Sequence, residues 1–138
     1  MKWLSYSILG LCLGGQVAAE EPAPKAGPLE AKHLANIKRV TFGLPRAGEG
    51  YFSPDGARMV FQSERDSSNP FYQIFLMDLT TGSTEKISTG IGKTTCGWIR
   101  PDGTVLYAST HADSESERKQ KEEIDVRAGG KSRRYQWD

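Results

Sequence analysis

The chain has 138 residues, 37% of them apolar and 25% charged, with a formal net charge of +1. That length leaves room for one small domain at most, and the balanced charge gives no electrostatic reason to expect nucleic acid as a partner.

The first element reads as a leader. Met1-Lys2 is a short positive start, Leu4 to Val17 is largely apolar, and Val17-Ala18-Ala19 supplies the small residues a signal peptidase recognises. Residues 1–19 are therefore expected to be a cleaved signal peptide, and the mature protein periplasmic or secreted. A bilayer span needs about 20 apolar residues, whereas this run is shorter and broken by Gly14, Gly15 and Gln16, so no stable membrane insertion is expected after cleavage. Leu11 precedes Cys12 where a lipoprotein signal wants a small residue. Once Cys12 leaves with the leader, Cys96 is the single cysteine, no internal disulfide can form, and Cys96 is expected to be a small buried residue on a strand.

Residues 20–36 read as a linker. EEPAPKAGPLE carries three prolines and a glycine among charges and alanines and cannot build regular structure, although Ala31 to Asn36 can form a turn of helix. Within residues 37–47, Ile37 to Phe42 (IKRVTF) alternates apolar and polar side chains as a half-buried strand does.

The sequence then repeats. YFSPDGARMVFQSERD at Tyr51 to Asp66 is echoed by WIRPDGTVLYASTHAD at Trp98 to Asp113, and VTFG at Val40 to Gly43 by ISTG at Ile87 to Gly90, all with one offset of 47 residues. In both copies Pro-Asp-Gly sets a tight turn: Pro fixes φ, Asp favours the next position and Gly takes the left-handed one. Tyr51-Phe52 and Trp98-Ile99 lead into the turns, and Met59 to Phe61 and Val105 to Tyr107 lead out, giving two hairpins. Between them Phe71 to Leu79 is a third strand, Thr80 to Ser83 a turn and Thr84 to Ser88 a fourth strand. A strand-rich repeat of this period is a β-propeller signature, and four antiparallel strands make one blade. The expected fold is all-β: one complete four-stranded blade over residues 48–93 and a partial second over 94–138. The second carries a charged insertion, 114–134, in which Ser114 to Val126 is helical, with Arg118 and Lys119 four residues from Glu122 and Glu123.

The turn SPDG, the tail Ser63-Glu64-Arg65-Asp66 and the strand QIFLMDL, with Phe61, Met77 and Asp78, together resemble the repeats of TolB-like β-propeller proteins, WD-type repeats of exported bacterial proteins. The resemblance covers Ile37 to Asp113; His111-Ala112 in the second copy departs from it. It implies a ring of about six blades that binds other proteins at its rim or channel mouth, with Ile37 to Phe42 as a ring-closing strand. On that basis the natural product is expected to be longer than this chain.

Five motifs invite a chemical reading, and each has a plainer one. TGIGKTT at Thr89 to Thr95 is P-loop-like, but Ile87 stands where the first glycine is required and a strand follows instead of a helix. Asp55 and Asp102 would form a carboxylate pair only if two separate turns met. His33 and His111 have no second ligand at metal spacing. Ser53, Ser63 and Ser109 lie in no nucleophile elbow and have no base beside them in sequence. The basic and aromatic tail from Lys131 to Trp137 is offset by the acidic residues before it. No catalytic, cofactor or metal residues are therefore assigned. The expected role is a non-catalytic protein-interaction scaffold, able to self-associate through open blade edges. The alternative is the N-terminal propeller of a secreted peptidase or other hydrolase whose catalytic domain is missing from this chain.

Overall fold

A computed structural model describes Gly27 and residues 29–131. The expected signal peptide, residues 20–26 and Pro28 of the linker, and the tail from Ser132 lie outside the described residues. The chain divides into two units between Arg39 and Val40. In the first, a 3-10 turn at Glu30–Lys32 starts one residue before the turn expected from Ala31, and the Glu30 carboxylate accepts a hydrogen bond from Gly27 N–H at 3.2 Å.

The second unit is mainly β. Strands β1 (Arg46–Phe52), β2 (Arg58–Glu64), β3 (Gln73–Asp78) and β4 (Thr84–Lys86) form an antiparallel sheet in sequence order, and β5 (Thr94–Ile99) and β6 (Val105–Ser109) form a hairpin. Helix α1 (Ser116–Ala128) follows. The strand expected over Ile37–Phe42 is absent; the first ladder begins at Arg46. Alternation sets the face of a strand but cannot supply its hydrogen-bond partner, and here left-handed Asn36 and Gly43 bracket the segment, with Val40 and Phe42 more than two-fifths exposed.

The two hairpins keep the repeat in their backbones. Gly56 N–H reaches Ser53 C=O at 2.9 Å and Gly103 N–H reaches Arg100 C=O at 2.9 Å, with φ of 70° and 84° at the glycines. Asp55 and Asp102 accept the N–H two residues on, from Ala57 and Thr104. A second shared feature is a β-bulge in the leading strand, between Gly48 and Gly50 in β1 and between Thr95 and Trp98 in β5. Glu49 and Cys96, equivalent in the repeat, both take left-handed φ, 40° and 57°, and a glycine follows each. The copies differ at the turn. Phe52 pairs with Met59 but Ile99 with Val105, so the second loop is one residue shorter.

Alternate residues point to opposite faces of a strand and cross-strand partners share a face. On one face of the sheet Met59, Phe61, Phe75 and Met77 form a buried cluster, with Phe61 and Phe75 stacked 5.7 Å apart. On the other face Val60 and Ile74 pack with Ile99, flanked by Leu76, Ile87, Val105 and Tyr107. The β5–β6 hairpin therefore lies on the Val60 face. Gly97 permits the close approach: a Cβ there would stand 2.8 Å from Val60 Cγ2.

The stacking is front to back. Ile99–Val105, the hairpin's inner pair, is the counterpart of Phe52–Met59 on the first cluster's face. Trp98–Leu106, its outer pair, is the counterpart of Tyr51–Val60, the face that the hairpin itself covers in the first copy. Trp98 and Leu106 are 53% and 52% exposed.

Candidate functional site

The residues with catalytic precedent are spent on local geometry. Ser53 Oγ donates to Asp55 Oδ1 at 2.5 Å and accepts the Arg58 N–H at 2.8 Å, and the hydrogen bonds from Ser53 and Ala57 hold the Asp55 carboxyl below the usual aspartate range. Asp102 is lowered likewise, chiefly by the Thr104 N–H. Both carboxylates serve their own turns, and no contact between them is formed. Ser63 is fully buried and donates to Arg46 C=O at 2.8 Å.

Ser109 does have a base beside it, which the sequence reading missed. His111 Nδ1 lies 2.8 Å from Ser109 Oγ, and the same oxygen accepts the His111 N–H at 3.2 Å. Both contacts span two residues on an exposed strand end, the form of a serine turn. His33 closes the 3-10 turn through its backbone N–H to Glu30 C=O. Among the described residues no group of three His, Cys, Asp or Glu side chains could hold a metal ion, and no helix is long and apolar enough to cross a membrane. Cys96 corrects the sequence reading, for it is exposed: the bulge that gives it left-handed φ turns it out of the core.

The TGIGKTT loop is held from three sides. Asn69 Nδ2 donates to Gly90 C=O and Gly92 C=O at 2.8 and 2.9 Å, and Gln73 Nε2 donates to Gly92 C=O at 2.8 Å. The amides of Gly90, Gly92 and Lys93 are taken by Gln73, Gln120 and Thr110. A phosphate cradle needs such amides free at a helix start; these are occupied, and the chain runs into β5.

Helix α1 is polar except for Ile124, Val126 and Ala128 near its C-terminal end, and polar contacts fasten it. Ser116 Oγ donates to Thr110 C=O, and Gln120 Nε2 donates to Ser68 C=O at 2.6 Å. Arg118 pairs with Glu115 and Glu122, and Lys119 reaches Asp113 at 3.4 Å. At the C-terminal end Arg127 Nε bonds Glu123 at 2.8 Å and Nη1 bonds Glu64 at 3.2 Å, while Arg46 approaches Glu64 at 3.6 Å. Glu64 and Glu123 are both buried.

Between this helix end and the β2–β3 loop is a recess of about 290 Å³. Pro45, Pro70 and Ile124 supply apolar wall, and Glu64, Arg65, Asp66 and Arg127 supply charge. The loop is shaped by its own side chains: Asp66 Oδ1 accepts Ser68 N–H and Oγ–H, which lower its pKa, and Asn69 Oδ1 accepts Phe71 N–H. Compared with protein-family models, curated proteins and solved structures, the chain matches none.

Proposed function

We propose that the chain is a segment of an exported TolB-like β-propeller acting as a non-catalytic scaffold for a protein partner. One observation carries the reading: two bulged hairpins of one design stack front to back. Such a contact joins unlike faces, so it does not close on itself in a pair; repeated, it yields a ring or an open stack. The exposed outer face, that of Trp98 and Leu106 with the Trp98 ring 6.0 Å from that of Tyr51, has the pattern that accepts another sheet of the same kind. The loops that then face outward are the β2–β3 connection and helix α1, long and polar as recognition loops on a rigid sheet are.

Export is tested by mass spectrometry of the protein recovered from its host, where a mature chain beginning at Glu20 is expected and an uncleaved Met1 terminus would count against it. Binding is tested by photo-crosslinking from Ser67 and Lys121 in the envelope. Discrete adducts that vanish when residues 114–130 are replaced by a short Gly-Ser loop support the scaffold, and an absence of adducts from both positions overturns it. Electron microscopy of the protein purified from its host tests the architecture, since a solid or helical particle in place of a ring with a central channel contradicts the propeller.

A further inference from the structure

The two stacked repeats show what each kind of face accepts. In the seated hairpin the inner face carries Gly97, Ile99 and Val105, and it rests on Val60 of the sheet. The same positions in the first repeat are Gly50, Phe52 and Met59, on the face of the Met59, Phe61, Phe75 and Met77 cluster. Ile99 is 1% exposed because it has a sheet beneath it, whereas its counterpart Phe52 is 64% exposed. The rest of the Met59 face is covered, but by single side chains. Leu44 and Leu79 pack on the cluster, and the Arg65 guanidinium lies over the Phe75 ring at 5.2 Å. Leu44 is half-buried between exposed Gly43 and Pro45, so one residue of the segment entering β1 is turned in as a peg. At the other end of the stack Trp98 and Leu106, the counterparts of Tyr51 and Val60, are more than half exposed.

We propose that the Met59 face is a receiving surface for a second copy of this chain, which lays its Trp98 and Leu106 there, and that Leu44 is an intramolecular plug competing for the same place. The contact continues one the chain already makes within itself, where the outer pair of Tyr51 and Val60 meets an inner face with a glycine after its bulge. Between copies the outer pair is Trp98 and Leu106, and exposed Gly50 supplies the glycine. A missing Cβ at Gly50 lets Leu106 approach as Gly97 lets Val60 approach. Unlike faces meet, so copies add head to tail and do not close in pairs. An apolar group on the same chain competes at an effective concentration of about millimolar. The plug therefore holds dilute protein apart and yields as the concentration rises. The contact rests on the front-to-back stacking of the scaffold reading, and in a ring the last blade would take the place of Leu44.

The test is sedimentation velocity on the protein purified from its host, with one variant blocked on each face. Phe52→Lys charges the inner face at an exposed position where little folding energy is at stake, and Trp98→Lys with Leu106→Lys charges the outer face. Each variant alone is expected to stay monomeric. Their equimolar mixture is expected to form a heterodimer that grows no further, because it joins the one intact inner face to the one intact outer face. Leu44→Ser should strengthen stacking of the otherwise unaltered chain by about fivefold to tenfold, the worth of a half-buried leucine side chain. Adding Phe52→Lys to Leu44→Ser should abolish that gain, which separates a released face from aggregation of misfolded protein. A mixture that stays monomeric, self-association of Phe52→Lys alone, or a Leu44→Ser chain that associates no more strongly overturns the head-to-tail contact. A clear loss of stability in Gly97→Ala together with a monomeric mixture would sink this contact and leave the seated hairpin and the scaffold reading standing; a neutral Gly97→Ala would remove the ground for both.

Discussion

Gly97→Ala tests whether the β5–β6 hairpin is seated on the four-stranded sheet. The new methyl would meet Val60 Cγ2 at 2.8 Å and Cγ1 at 3.4 Å, with Ile74 Cδ1 at 3.7 Å. Val60 is fully buried and β-branched, so it cannot swing aside, and the hairpin must lift. Overpacking of this kind costs about 1–3 kcal/mol, and the gain from a stiffer unfolded chain returns about 0.4–1 kcal/mol. A net loss of about 1–2 kcal/mol is expected from those two magnitudes. Gly50→Ala is the internal control, because Gly50 is the equivalent position and the three atoms nearest its methyl would all belong to the Met59 side chain, the sulfur closest at 3.0 Å. Methionine is unbranched and yields, so this change should be close to neutral. Urea unfolding followed by circular dichroism compares the two, and amide exchange at Ile74 and Ile99 makes the same comparison where the transition is broad. Val60→Ala removes the methyls that clash, so the double variant should be more stable than the sum of the singles by about 1 kcal/mol. Equal stability of the two alanine variants, or strict additivity with Val60→Ala, would refute the seated hairpin.

The matched turns should respond alike to one change: Gly56→Ala and Gly103→Ala each put a side chain at left-handed φ with no close neighbour, and each should cost about 1–2 kcal/mol in chemical unfolding. A neutral Gly103→Ala would mean that the second turn is not built as the first. Asp55, Asp78 and Asp102 are held below the ordinary aspartate range by hydrogen bonds from Ser53, Thr81 and Thr104. A carboxylate lowered by folding contributes stability above its unfolded value of about 3.9 and loses it as pH falls toward the folded value. Stability should therefore drop below about pH 4, and Asp78→Asn should flatten that limb; an unchanged acid limb contradicts the turn geometry. Arg127→Met leaves Glu64 and Glu123 buried without their shared cation and should cost about 3–5 kcal/mol. Faster amide exchange confined to α1 and the β2–β3 loop is its expected signature, and protection equal to the unaltered chain would show that the helix is held otherwise. Trp98→Lys with Leu106→Lys charges the open outer face and should suppress concentration-dependent association in sedimentation velocity, whereas undiminished association would place the contact elsewhere.

What could be read in the sequence was what side-chain pattern dictates. Pro-Asp-Gly fixes backbone angles within three residues, so both hairpin turns were legible, as was β3, whose apolar run reflects burial on both faces. The length of β1 was not legible, since Arg-Ala-Gly-Glu-Gly has no strand propensity and is extended only because β2 offers it a ladder. Ile37–Phe42 fails for the opposite reason: its pattern is strand-like and no ladder reaches it. The matched bulges were hidden because Glu49 and Cys96 share no chemistry. Their equivalence lies in φ alone, and only the glycine that follows each betrays it. Cys96 was misplaced by the same bulge, which shifts the alternation that would have buried it.

The recess was out of reach for a further reason. Arg127 and Glu64 are 63 residues apart and meet only when α1 folds back over the β2–β3 loop. In the sequence α1 is a run of mixed charge with local i,i+4 pairs, the pattern of a solvated surface helix. The pairs that anchor it are long-range: Gln120 to Ser68, and Arg127 to Glu64. A charge whose partner is distant in sequence looks like solvation until the fold supplies the partner. The repeat specified the sheets, and the insertion, which has no counterpart within the repeat, carries the long-range partners of Ser68 and Glu64.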